Sequence, residues 1–401
     1  MLNVISGISG VNSKTPLPTL LRSLVSFAVL GLMAFGAVAQ VQNVVIPNKP
    51  AGEHWLWIND LQFGNYNREV LYNVENGYIL GAIDTGWEGI KLEFPKNSNE
   101  IYSAQAYMDR GYRGKRTDVV TVYDKHTLMP TLEFGIPNKT VKGWPDPTLT
   151  ALSDDNRFMF IEFMTPAASV GVADMEGNKF SSEIETTGCS HVMAAGDRRF
   201  FSLCGDGSLL SVNVDDDGQE VSRKRYPGFF DIEKDPVHGS GTRDGNIWYF
   251  VSHRGQIHSV DVSGEDLKIL PQWQVSVKQG DKTWVPGAWM QSIAVSGPLN
   301  RLYVSMHLHD LKRKSSGYDF HAQSGTELWA YDIGTKKLVQ KIKLKAPATH
   351  IAVSQDASPY IYVSAMWDIK VDVYGYKNGK YIKSIPVPSM PTVLQPVNDN
   401  Y

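Results

Sequence analysis

Residues 119–134 read VVTVYDKHTLMPTLEF. Apolar side chains alternate up to Tyr123, Asp124 closes the run, and a short polar turn leads into a second alternating run. Period-two alternation lays one face of each run on a core, and an Asp ahead of a tight turn can accept the turn's own amides. The stretch therefore reads as a β-hairpin. The pattern recurs from Arg68 (REVLYNVENGYILGAI), Val170 (VGVADMEGNKFSSEI), Leu209 (LLSVNVDDDGQEVSRKRY), Ile257 (IHSVDVSGEDLKIL), Leu328 (LWAYDIGTKKLVQKIKL) and Lys370 (KVDVYGYKNGKYIKSI). The residue before the turn is Asn73, Asp124, Asp174, Asn213, Asp261 and Asp332, with Gly375 in the last copy; the steps are 51, 50, 39, 48, 71 and 43 residues. Spacing of about 50 residues is one four-stranded propeller blade per copy.

Outward from each hairpin, toward the N-terminus, lies a strongly apolar run: 55–60 (WLWIND), 101–108 (IYSAQAYM), 157–164 (RFMFIEFM), 199–205 (RFFSLCG), 247–252 (IWYFVS), 301–307 (RLYVSMH) and 360–367 (YIYVSAMW). Aromatic and β-branched residues dominate these runs, as in strands buried on both faces. Taken as seven inner strands with seven outer hairpins, they predict an all-β fold, a seven-bladed β-propeller of four-stranded antiparallel blades over residues 55–395. The long sixth step predicts an inserted loop between His307 and Glu327.

Composition agrees. With 42% apolar and 20% charged residues the 401-residue chain is globular, and a net charge of −3 argues against a nucleic-acid binder. Residues 24–39 (LVSFAVLGLMAFGAVA) follow a segment whose charges are Lys14 and Arg22, and end in Ala37-Val38-Ala39, a small-x-small cleavage pattern. The run is shorter than the roughly 20 residues a spanning helix needs. Residues 1–39 are thus expected to be a cleaved signal peptide, with Gln40 opening an N-terminal arm (40–54) and no membrane attachment of the mature chain. Export puts Cys189 and Cys204, the two cysteines, in an oxidising compartment, where they are expected to pair and to tie neighbouring strands of the third and fourth blades.

Several motifs dissolve on inspection. The glycine-rich run 238–245 (HGSGTRDG) leads into a strand rather than a helix, which removes the helix N-terminus that a phosphate loop needs. Asn213-x-Asp215-x-Asp217-Gly218 resembles half a calcium loop, but Lys224 stands where the bidentate Glu belongs, so the triplet reads as a hairpin turn. His307 and His309 would share one face of a strand but read as polar loop residues without further ligands. The basic run 110–116 is bracketed by Asp109 and Asp118 and reads as an ion-paired loop. No catalytic constellation and no metal site is expected on this chain.

Four stretches carry a resemblance: 113–124 (RGKRTDVVTVYD), 166–174 (PAASVGVAD), Cys189 with 204–210 (CGDGSLL), and 284–289 (WVPGAW). In order and spacing, over roughly 55–390, they resemble the heavy subunit of the quinoprotein amine dehydrogenases, nearer the aromatic amine branch than the methylamine branch. The resemblance implies a periplasmic heterotetramer of two heavy and two light subunits. It implies that the light subunit carries tryptophan tryptophylquinone and turns primary amines into aldehyde and ammonia. It implies a blue copper electron acceptor of the azurin or amicyanin type. It also implies a heavy-chain phenylalanine at the mouth of the substrate channel, which Phe63 matches. Two alternatives stay open on the residues alone: a periplasmic propeller that scaffolds or binds without amine oxidation, and a metal-dependent propeller hydrolase.

Overall fold

In five of the seven copies the polar residue that closes the alternating run accepts hydrogen bonds from its own turn. Asp124 Oδ1 takes the N–H groups of His126 and Thr127 at 3.1 and 2.7 Å, Asp174 that of Gly177 at 2.9 Å, and Asp332 that of Thr335 at 2.7 Å. In the fourth copy Asp215 replaces Asn213, accepting from Asp217 and Gln219, so the acidic triplet is a hairpin turn. These turns join the outer strands of the computed structural model, which describes residues 45–398 except 63–65, 88, 90, 112, 142, 144–145, 288–289 and 311–322. The expected signal peptide and residues 40–44 of the arm lie outside the described residues. Among the described residues no helix is long and apolar enough to cross a membrane.

Seven antiparallel sheets follow one another. Blade 1 orders Met390–Pro396, Trp55–Leu61, Tyr66–Asn73 and Ile79–Trp87, so its innermost strand comes from the far end of the chain. Blade 2 holds Glu100–Met108, Arg116–Asp124 and Pro130–Ile136, with a lone bridge from Glu93 to Tyr102 on its inner side. From the inside out, blade 3 is Thr150–Leu152, Phe158–Phe163, Ser169–Asp174 and Lys179–Glu185, and blade 4 is Cys189–Ala194, Arg199–Cys204, Leu209–Val214 and Glu220–Tyr226. Blade 5 is Thr242–Asp244, Ile247–Val251, Gln256–Asp261 and Lys268–Gln274. Blade 6 is Ile293–Ser296, Arg301–His309, Gly325–Asp332 and Leu338–Ala348, and blade 7 is His350–Val353, Tyr360–Ala365, Lys370–Gly375 and Tyr381–Pro386.

The seven-bladed reading holds, with three corrections. The apolar runs are the second strand of each blade, not the innermost. Each is sandwiched between two neighbours in its own sheet and by the adjoining blades on both faces, which is why Trp55–Leu61 and Phe158–Phe163 are buried along their whole length. The innermost strands are three to seven residues long and too short for alternation to mark them. The extra length of the sixth step is also shared. Part lies in the stretch after His309, of which 311–322 is outside the described residues. Part forms a hairpin, Val277–Gln279 with Lys282–Pro286, that pairs with the far half of Arg301–His309. His307 and His309 are therefore buried strand residues rather than loop residues, their rings 5.7 Å apart, and no group of His, Cys, Asp or Glu suited to a metal exists among the described residues.

The third correction concerns the cysteines. They are bonded, but inside blade 4. Cys189 opens its innermost strand and sits directly opposite Cys204, with Cα atoms 3.9 Å apart. The apolar packing that joins blades is supplied instead by ring contacts such as Phe160 with Phe200, 5.0 Å between centroids, where blades 3 and 4 meet. Cross-linking a 15-residue separation contributes about 3 kcal/mol by chain entropy. Unreduced protein should therefore show no alkylatable thiol by mass spectrometry. The Cys189→Ser/Cys204→Ser variant should lose about 2–3 kcal/mol in urea melts while remaining a folded ring.

Candidate functional site

Every innermost strand runs antiparallel to the second strand. Thr150 faces Ile161, Cys189 faces Cys204, Thr242 faces Tyr249, Ile293 faces Val304, His350 faces Ser364 and Met390 faces Leu61. All inner strands thus start on the side of the ring where the second strands end. The segments leading into them converge there on the axis.

These lead-ins and the strands they meet carry a polar network drawn from four blades. Asp146, ahead of blade 3, is buried. Its Oδ1 accepts the Thr148 N–H at 2.8 Å and the Thr148 hydroxyl at 2.5 Å, and its Oδ2 accepts the Ser240 hydroxyl of the blade 5 lead-in at 2.9 Å. Because the Thr148 hydroxyl donates to Asp146, its oxygen is left to accept from His191 Nδ1, 2.8 Å away on blade 4. His191 takes φ 61°, a left-handed backbone unusual for a side chain with a Cβ, and its own N–H goes to Glu162 Oε2 at 2.8 Å. Gly239 has to be glycine: a Cβ there would stand 2.4 Å from His191 Nε2. From blade 7, fully buried His350 is pushed down to about 4 by desolvation, against the opposing pull of Asp146. Burial pushes the Glu162 carboxyl up to about 7, partly offset by His191.

This network is not poised for attack. Ser240 gives its proton to a carboxylate and not to an imidazole, and Thr148 has already given its own. Separately, an open cavity of about 680 Å³ is lined by inner-strand residues such as Val295, Val353 and Leu394 together with Gln291 and Arg243, the last bidentate to Asp154 at 2.8 and 2.7 Å. Sequence reading missed Asp146, His191 and Ser240 because they are tens of residues apart and share no local motif.

Phe63 lies outside the described residues. The strand ends that bracket it sit on the same side of the ring as the network: the Leu61 carbonyl accepts from Ser389 Oγ at 2.8 Å, and Tyr66 donates to the carbonyls of Met108 and Gly111 at 3.0 Å each. The strand-joining turns of this side also carry large exposed apolar side chains: Met164 at 57%, Trp367 at 66% and Ile369 at 46%. The run 238–245 leads into the strand Thr242–Asp244, so it is no phosphate loop. In the run 110–116, Arg116 pairs with Asp118 at 2.6 Å and Arg110 with Asp109 at 3.7 Å.

A family model of the methylamine dehydrogenase heavy chain matches residues 57–394. The chain is 30% identical over 346 residues to the methylamine dehydrogenase heavy chain of Methylorubrum extorquens, covering 85% of this chain and 82% of that one. It is 27% identical over 329 residues to the heavy chain of Methylophilus methylotrophus, covering 80% and 78%. Among solved structures it resembles a putative 6-phosphogluconolactonase from Bacteroides uniformis, with a TM-score of 0.55, 12% identity and coverage of 86% and 99%; at that identity the likeness speaks for the fold alone.

Proposed function

Because this chain belongs to the methylamine dehydrogenase heavy chain family and is the heavy subunit of an amine-oxidising enzyme, we propose that it acts as the non-catalytic wall and platform of a periplasmic complex. In this reading residues 1–39 are a cleaved signal. A separate light subunit carries tryptophan tryptophylquinone, two heavy and two light chains assemble, and electrons leave to an azurin- or amicyanin-type copper protein. The observation that carries the reading is the match over residues 57–394, which spans the ring from its first strand to its closing strand. The exposed Trp367 and Ile369 of blade 7, which packs on blade 1, support a docking face beside the strand ends around Phe63.

In this reading the quinone belongs to the light subunit and not to this chain, whose two cysteines suit the partner of a small disulfide-rich subunit. No chemical step is therefore assigned here. The quinone supplies the oxidation of the amine carbon when the light subunit is present. This chain's part is to shape the approach. An aromatic at Phe63 would give an apolar wall to the amine's side chain.

The test is reconstitution. The purified heavy chain should show no amine-dependent dye reduction, and addition of the light subunit should restore it. Phe63→Ala in the complex should shift the ratio of KM values for methylamine and an arylalkylamine roughly tenfold, while kcat for the better substrate moves less. Amine oxidation by the isolated chain would overturn the division of labour. Unchanged KM ratios in an assembled variant would remove Phe63 from the channel.

A further inference from the structure

Nine lysines fall between residues 336 and 383 against three aspartates and no glutamate or arginine, a local charge of +6 in a chain whose total is −3. The aspartates are already engaged: Asp356 faces His54 at 3.3 Å, and Asp368 and Asp372 face Lys370 at 3.6 and 3.7 Å. The outermost strand of blade 6, Leu338–Ala348, exposes Lys341, Lys343 and Lys345 on one face at two-residue intervals, about 7 Å apart. Lys336 and Lys337 extend the row through the preceding turn, and Lys377 and Lys380 add to it from blade 7. The two blades are continuous here: the Lys345 N–H reaches Tyr374 Oη at 2.8 Å, and a Cβ on Gly379 would meet Ile342 at 2.6 Å.

None of these seven exposed lysines has a carboxylate within ion-pair distance, whereas on blade 4 exposed Lys224 meets Asp266 and exposed Arg225 meets Asp206. Glu327, across the strand from Lys343, gives its carboxylate to the Trp329 indole instead. Two ammonium groups are held in place, Lys341 over the Trp329 ring at 3.7 Å and Lys345 over the Tyr381 ring at 3.8 Å. Lysine on an edge strand also guards against sheet-to-sheet aggregation. That need does not explain the concentration, because the outermost strands of blades 1 and 2, Ile79–Trp87 and Pro130–Ile136, contain no lysine.

We propose that the outer edge of blades 6 and 7 is a docking ridge for an acidic protein surface. Exposed Val339 (48%) and Ile382 (43%) lie among the lysines, so the patch has apolar ground with a charged surround, the anatomy of a protein interface. The cations are all lysine, point charges that steer an acidic partner, without the arginine forks that read phosphate in pairs. No exposed Trp or Phe stands among the ridge residues to anchor in a bilayer.

The test uses the full mature chain and a fluorescent oligoglutamate peptide, with phosphatidylglycerol–phosphatidylcholine vesicles and a single-stranded oligonucleotide in parallel. The peptide should bind saturably at low salt, with affinity falling as salt rises. Lys341→Glu/Lys343→Glu/Lys345→Glu should weaken it by at least roughly tenfold, and Lys336→Gln/Lys337→Gln/Lys377→Gln/Lys380→Gln, which leaves the strand untouched, should also weaken it. Lys268→Glu/Lys278→Glu, on blade 5 and the extra hairpin, should not. Absence of peptide binding, equal binding by all variants, or tighter ridge-dependent binding of vesicles or oligonucleotide would each overturn the proposal.

Discussion

Replacing Glu69 by Gln should make the protein more stable at pH 9 and leave it nearly unchanged at pH 5. Glu69 is on the second-innermost hairpin of blade 1 and fully buried. Asn59 donates to its Oε1 at 2.7 Å, while Oε2 has no partner. Desolvation pushes its carboxyl from 4.5 up to about 8; Asn59 pulls it down, and the like charge of Asp60 adds to the rise. Between those two values the folded chain holds a proton that the unfolded chain releases. Unfolding then releases that proton, so stability falls as pH rises from about 4.5 to 8 and levels off above. At 1.36 kcal/mol per unit the full span is worth roughly 5 kcal/mol, undiminished by solvent because the site is wholly buried. Gln keeps the Asn59 contact and cannot ionise. The variant-minus-wild-type difference in urea stability should therefore grow from pH 5 to 8. Taking that difference cancels other titrating groups such as Glu162. Two parallel pH profiles would show that Glu69 is already charged in the folded state.

Arg199→Met should cost about 3–5 kcal/mol, the range for breaking a buried charged network. The guanidinium is 6% exposed and reaches out of blade 4 to the turn of blade 5. It donates to the carbonyls of Ala195 at 3.0 Å and of Val262 and Gly264 at 2.7 Å each, and to that of Glu265. Methionine has similar length but leaves these carbonyls without donors. Lysine restores one point charge in place of a fork, so Arg199→Lys should recover only part of the loss. Denaturant melts give the total. Faster amide exchange confined to the hairpin around Val262 would locate it, and a loss below about 0.5 kcal/mol would mean that water replaces the guanidinium without cost.

What could be read in advance follows from the range of each signal. The three outer strands of each blade announce themselves locally, through alternation and a turn-capping Asp or Asn within a few residues. The innermost strand of blade 5, Thr242–Asp244, is three residues with no periodicity to detect. Blade 4 holds its own disulfide because Cys189 belongs to such an unseen strand, and without it the pair looked like a tie between blades. Glu69 sits in REVLYN where alternation would allow a polar outward position. In fact the neighbouring blade covers that face, which a single strand's pattern does not reveal. The axial network is less legible still: Asp146 meets Ser240 across 94 residues, a proximity created by ring closure alone.

That closure has a consequence for how the molecule is made. Trp55–Leu61 leaves the ribosome more than 300 residues ahead of its inner neighbour, Met390–Pro396. Until then the nascent chain carries a bare strand edge ending in Leu61, with Trp57 and Ile58 among the side chains awaiting cover, a ready template for pairing with another chain. The Thr392 hydroxyl then fastens to Asn59 at 2.7 Å, and the Val397 N–H to the Trp55 carbonyl at 3.0 Å. A chain truncated after Ser389 would thus lose the clasp of the whole ring rather than one peripheral strand. It should be recovered as aggregate, not as a slightly shortened protein.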